Sequence, residues 1–248
     1  MTGTTAGGNR QPVFTYENAK TVKGEALGVM TAIRYLAPSD ESGQWDVCPN
    51  AGACRAVCLY TAGRGRFAQV KDARIRKTAW RMTDRAGHMA AAADEIRAAV
   101  KRAALHGMTL AVRMNGTSDL PGDALELARL FPDVQLYDYT KLPGSVWRYA
   151  RGEYPANYHL TLSYDPETVP ASVCQQALSA GVNVAVVFST RRGQPLPAMH
   201  WGRPVLDGDD HDLRFKDPCA RPGFVVGLRA KGLAKNADTD AFVVRVDP

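Results

Sequence analysis

The sequence predicts an α/β fold, a parallel-stranded complete or partial (β/α) barrel in a single domain, on three observations. Short continuous apolar runs, Val182-Asn-Val-Ala-Val-Val-Phe188 the most apolar, read as strands buried on both faces. Six or more such runs alternate with helical stretches, which favours a barrel over an open doubly wound sheet. No Gly-x-Gly-x-x-Gly follows the first strand and no phosphate-loop lysine motif occurs, so the common nucleotide folds lose ground.

The elements follow in order. Residues 1–20 open on the small, polar Met1-Thr-Gly-Thr-Thr-Ala-Gly-Gly-Asn9 and read as a tail without the apolar segment of a signal. Residues 21–248 form the domain, with a cysteine loop at 46–66. Glu25 to Ala37 carries a first strand, stopped by Pro38. Phe67 to His106 is helical, rich in Ala, Arg, Lys and Glu, with a break near Gly87 and a C-cap at Gly107. Then come strand 109–115, a helix from Pro121 to Leu130, strand 134–140, a short helix 144–151, strand 158–163 and a helix 171–179 closed by Gly181. After the strand 182–188, shorter strands fall at 204–206, 223–228 and 241–246.

The 248 residues suffice for one large core, and no apolar run approaches a membrane span. Cytoplasm is the default compartment. The net charge of +6 permits a polyanionic partner. Much of it is concentrated in Arg64, Arg66, Lys71, Arg74, Arg76, Lys77, Arg81 and Arg85, against only Asp72 and Asp84. That stretch reads either as a solvated helix face or as a surface that tracks phosphates.

The chemistry centres on Cys48-Pro-Asn-Ala-Gly-Ala-Cys54-Arg-Ala-Val-Cys58, which holds three of the five cysteines. Thiolates so close can converge on a soft metal, and the small residues between them let the backbone wrap it. In a reducing compartment such a cluster points to metal rather than to a disulfide framework. Arg64 and Arg66 follow on a glycine-rich segment, placed to meet an anionic ligand. Cys174 reads as core, and Cys219 or His211 as a fourth ligand.

Polar residues gather at the C-terminal ends of the strands, where parallel barrels build active sites. Asp119, Lys141 and Asp207 are the candidate catalytic groups. Arg113, Asn115, Ser118, Tyr139, Arg229 and Lys231 join Arg64 and Arg66 as candidate substrate contacts. Ser118-Asp119 also suits an N-cap before Pro121. The acidic loop Leu206-Asp-Gly-Asp-Asp-His-Asp-Leu-Arg214 does not have the spacing of an EF-hand and reads equally as a solvated turn. Gly223 to Gly232 is a strand running into a basic glycine turn suited to a phosphate or carboxylate.

Cys48-Pro-x4-Cys-x3-Cys-Leu-Tyr60, Arg113-Met-Asn-Gly-Thr-Ser-Asp119 and Leu136-Tyr-Asp-Tyr-Thr-Lys141 together resemble the phage "gene product 88" family, over roughly residues 25–190. Asn50 stands where that family has glycine, and Thr117-Ser118-Asp119 replaces its Ser-Gly-Asp. The motif order also resembles phage radical S-adenosylmethionine enzymes. That resemblance implies a [4Fe-4S] cluster on Cys48, Cys54 and Cys58 with one iron open to S-adenosylmethionine. The spacing here is Cys-x5-Cys-x3-Cys rather than the usual Cys-x3-Cys-x2-Cys.

Three functions stay open. The first is an iron–sulfur barrel enzyme modifying a nucleic acid base or nucleotide. The second is a barrel glycosylase or transglycosylase with a four-ligand structural zinc, in which Asp119 or Asp207 attacks the sugar. The third is a metal-stapled nucleic-acid-binding protein using the basic helix.

Overall fold

A computed structural model describes residues 11–16, 21–235 and 242–246. In chain order its main elements are β1 (Phe14–Thr15), α1 (Thr21–Glu25), β2 (Val29–Arg34), α2 (Ala68–Thr83), α3 (Arg85–Leu105), β3 (Thr109–Arg113), α4 (Pro121–Leu130) and β4 (Gln135–Thr140). There follow α5 (Pro143–Ala150), β5 (Tyr158–Ser163), α6 (Ala171–Ser179), β6 (Val184–Phe188), β7 (Met199–His200), β8 (Arg203–Asp207) and β9 (Val225–Arg229).

One nine-stranded sheet runs in the order β1-β2-β3-β4-β5-β6-β9-β8-β7. The strands from β2 to β6, then β9 and β8, are parallel. The sheet does not close, which corrects the expectation of a complete barrel. Its edges are β1, antiparallel to β2, and β7, antiparallel to β8. Both edges end in two-residue strands, too short to offer a long unpaired ladder to each other. What survives of the expectation is the sequential order of β2 to β6, in which each parallel strand lies beside the next through a helical crossover.

Alternation divides the side chains between two faces. Ala32, Val112, Leu136, Leu160 and Val186 share the main core with α3, α4, α5 and α6. Val29, Ala111 and Tyr137 face the other way and are covered by Leu213 and Phe215 from the loop after β8.

Helix boundaries follow local chemistry. The long helical region breaks at Asp84, near Gly87 as expected, because the Asp84 carboxylate accepts the Gly87 N–H at 2.8 Å and caps α3. Gly107 ends α3 with φ +65°. The expected tail contains β1; Phe14 in it and Val13 just before it are buried, with their N–H groups donated to Glu95. Residues 1–10 and 17–20 lie outside the described residues. The expected last strand is a single parallel bridge from Val244 to Phe188, and Ala241 lies outside the described residues.

Candidate functional site

The cysteine loop lies across the C-terminal ends of the parallel strands, where polar groups from three strand ends hold it. It is built from three short 3-10 turns, Gly52–Arg55, Leu59–Thr61 and Gly63–Arg66, in line with its content of Gly and Ala. The segment after β3 meets its entry: Asp119 N–H donates to the Val47 carbonyl at 2.8 Å, and Thr117 Oγ1 to the Leu36 carbonyl at 2.6 Å. After β4, the Lys141 carbonyl accepts from Asn50 Nδ2 at 2.9 Å. After β5, the fully buried Asp165 carboxylate accepts the N–H groups of Ala53 at 3.2 Å and Cys54 at 3.0 Å.

Asp165 fixes the loop more closely than any residue singled out from the sequence. In the sequence Asp165 is one more polar residue just past a strand end. Its signal is Gly52, which turns at φ +51° and would place a Cβ 2.4 Å from Asp165 Oδ1.

The three thiols lie within electrostatic reach of one another. The Cys58 thiol hydrogen-bonds Cys54, which pulls Cys54 below the usual thiol range despite burial, and the Lys141 ammonium pulls the same way. Cys58 is pushed well up by that hydrogen bond and by burial. Cys48 is raised to about 11, first by burial, with Asp119 and Cys54 adding to it. Its Sγ lies 3.6 Å from the Thr117 carbonyl. As they stand, no three His, Cys, Asp or Glu side chains among the described residues form a metal-binding group.

Asp119 and Lys141 sit at this loop. The Asp119 carboxylate accepts from Thr140 Oγ1 at 2.9 Å and from the Lys141 N–H at 2.7 Å. Burial raises its pKa, against the pull of that N–H. Lys141 Nζ donates to Ser163 Oγ at 3.1 Å and stands 5.3 Å from the centre of the Phe242 ring.

The remaining candidates do not converge there. Asn115 and Ser118 are consumed in a buried network: Asn115 donates to Asp138, and its side-chain oxygen accepts from Ser118 Oγ and the Leu120 N–H. Ser118 and Asp119 therefore do not cap α4; its N-cap residue is Leu120, without a side-chain hydrogen bond. Arg113 pairs with Asp212 at 2.8 Å on the opposite sheet face and lies over the Tyr139 ring at 4.6 Å. Arg229 pairs with Asp207 at 2.8 Å and Asp209 at 3.3 Å, and Lys231 pairs with Asp209. Asp207, Asp209 and Asp212 of the acidic loop are thus paired with Arg229, Lys231 and Arg113.

Neither candidate fourth ligand approaches the thiols. His211 lies against Arg214, with Asp217 3.9 Å away. Cys219 is exposed, and its Sγ is 3.6 Å from the Asp217 carbonyl. It follows Pro218, whose carbonyl accepts from Asn183 just before β6, at the strand's other end. Cys174 is buried in the main core, as expected.

The basic helix is also divided. Lys77 is buried and donates to the Val13 carbonyl, while Arg81 and Arg85 pair with Asp123. Arg74 packs over Tyr35. Arg64 and Arg66 remain exposed and, among the described residues, make no ion pair; Phe67 beside them is half exposed.

A family model described as Gene product 88 matches residues 9–246. No curated protein and no solved structure matches the chain.

Proposed function

The chain belongs to the Gene product 88 family, and from that premise we propose that it is an iron–sulfur enzyme that modifies a nucleic acid base or nucleotide at the C-terminal edge of its partial barrel. One observation carries this reading. Cys48, Cys54 and Cys58, set by three strand ends, lie within each other's electrostatic reach beside Lys141 and Asp119.

The donor set has the chemistry of a soft metal centre, three thiols of which one is already favoured as thiolate by a neighbouring thiol and an ammonium, although the three would have to draw together to share a metal. Cys48 would exchange the Thr117 carbonyl for the metal. Three protein ligands would leave a coordination position free for a small molecule such as S-adenosylmethionine. When bound, a cluster of this kind supplies one-electron chemistry.

The protein's own groups do the rest. Asp165 holds the backbone of Ala53 and Cys54, so the thiols keep their place relative to the strand ends. Lys141 is an ammonium for an anionic group, and Asp119, made more basic by burial, can hold a proton beside it. Arg64, Arg66 and Phe67 offer charge and a ring to a polynucleotide at the rim. The zinc glycosylase alternative has less support, because Cys219 and His211 lie elsewhere and Asp207 is paired with Arg229.

Metal content decides. Protein purified anaerobically should carry iron and sulfide with visible absorption from thiolate-to-iron charge transfer. Alanine at Cys48, Cys54 or Cys58 should each abolish it, while Cys174→Ala retains it. Full metal occupancy in all three loop variants, or zinc in place of iron, would overturn the iron–sulfur reading.

A further inference from the structure

Arg74 stands in α2, just after the chain leaves the cysteine loop. Its guanidinium lies over the Tyr35 ring at 5.0 Å. The Nε and Nη1 groups are closed off from solvent and have no hydrogen-bond partner. The buried Arg34, Arg113 and Arg214 each face a carboxylate, at 2.7, 2.8 and 3.3 Å. Among the described residues, Arg74 forms no ion pair.

A small anion does not fit beside it. The gap that Arg74 shares with Ala37, Glu41 and Tyr60 measures about 10 Å³, room for one water at most. Glu41 on its wall is exposed and accepts from the Tyr60 hydroxyl. Burial pulls the Arg74 pKa down, and the groups whose charge would support it are Tyr35 and Cys58. A phenol stays neutral near neutral pH, whereas a thiol becomes a thiolate when it ligates a metal.

An unpaired guanidinium closed off from water is costly, and one ring beneath it offsets only part of that cost. The arrangement is explained when the counter-charge arrives with a ligand set instead of a carboxylate.

We infer that Arg74 is the counter-cation of the loaded thiol loop, a positioning residue that balances the charge Cys58 and its neighbours acquire on ligating a metal. As the metal binds, the thiol protons leave to solvent and the guanidinium gains its partner. The inference rests on the thiol loop holding a metal.

Cobalt(II) titration of reduced, metal-free protein tests it, read by thiolate-to-cobalt charge-transfer absorption. Wild-type protein should saturate. Arg74→Met, which keeps apolar packing on Tyr35, should weaken cobalt binding at least about tenfold. Arg74→Lys keeps the charge and should retain most of the affinity. Arg76→Met removes an exposed charge from the same helix and should leave the affinity unchanged. Urea denaturation without metal adds a readout that a packing role would move the other way. There Arg74→Met should be at least as stable as the wild type, because it removes an unpaired charge. Equal cobalt affinity in Arg74→Met and the wild type would overturn this inference and leave the metal centre standing. So would a loss in Arg76→Met or Arg74→Lys as large as in Arg74→Met, or a less stable metal-free Arg74→Met. No cobalt absorption in the wild type would overturn the metal centre and the inference together.

Discussion

The buried charges are the least forgiving residues in this chain. Arg34 and Asp123 are both fully buried, 2.7 Å apart, and Arg81 adds a second ion pair to the same carboxylate. Burial would raise the Asp123 pKa, but the Arg81 hydrogen bond and the Arg34 charge hold it well below the usual carboxylate range. Asp123→Ala would leave Arg34 in the core without a counter-charge and should cost about 3–5 kcal/mol of unfolding free energy. Because the folded-state pKa is depressed, the pair's contribution is fully present above the unfolded value near pH 4 and is lost as pH falls below it. Urea denaturation should therefore show the gap between wild type and variant closing in acid. A gap that is absent at neutral pH, or constant down to pH of about 2, would remove Asp123 from this role. From sequence, Arg81 and Arg85 belong to a cationic face; the carboxylate that absorbs them lies some forty residues on, where no local pattern points.

At the scale of elements, what was legible was what neighbours along the chain decide. Pro121 opens its helix, Gly107 and Gly181 close theirs with positive φ, and the apolar runs became strands. The misses are short or held from afar: α1, β1 and β7 are two to five residues long, below the reach of periodicity. The cysteine loop itself was legible as a cluster, whereas its anchor was not, since Asp165 lies 111 residues beyond Cys54. That anchor is testable. Asp165→Ala leaves the N–H groups of Ala53 and Cys54 without their acceptor and should cost about 1–3 kcal/mol. The freed loop should also expose Cys54, so that alkylation of this thiol, followed by peptide mass spectrometry, speeds up relative to Cys174. Unchanged stability together with an unchanged Cys54 labelling rate would show that the loop is held by something else.

At the scale of the whole molecule, strand count alone could not say whether the sheet closes. Closure requires the outer strands to pair, and here each outer parallel strand is instead finished by a short antiparallel partner. Openness leaves the C-terminal edge broad, with the thiol loop across it and Arg64, Arg66 and Phe67 on its exposed side. Among the described residues, no helix is long and apolar enough to cross a membrane. Of the cations that the basic stretch offered to a polyanion, Arg64 and Arg66 stay exposed, whereas several on the helices are committed elsewhere. Arg74 is packed on Tyr35 and Arg81 is spent on Asp123, so reversing either charge would damage the fold before it revealed a surface. Arg64 and Arg66 carry no such duty. If both neutralise phosphates, single-stranded nucleic acid binding should weaken with salt, and Arg64→Gln with Arg66→Gln should lower the log–log salt slope by about 1.4. Phe67→Ala should weaken binding by about 1–3 kcal/mol through lost base stacking without altering that slope. The two effects come from different physics, so fluorescence anisotropy across a salt series can separate them. A slope unchanged by the double substitution would move the polyanion, and with it the substrate's approach to the thiol loop, to another face of the protein.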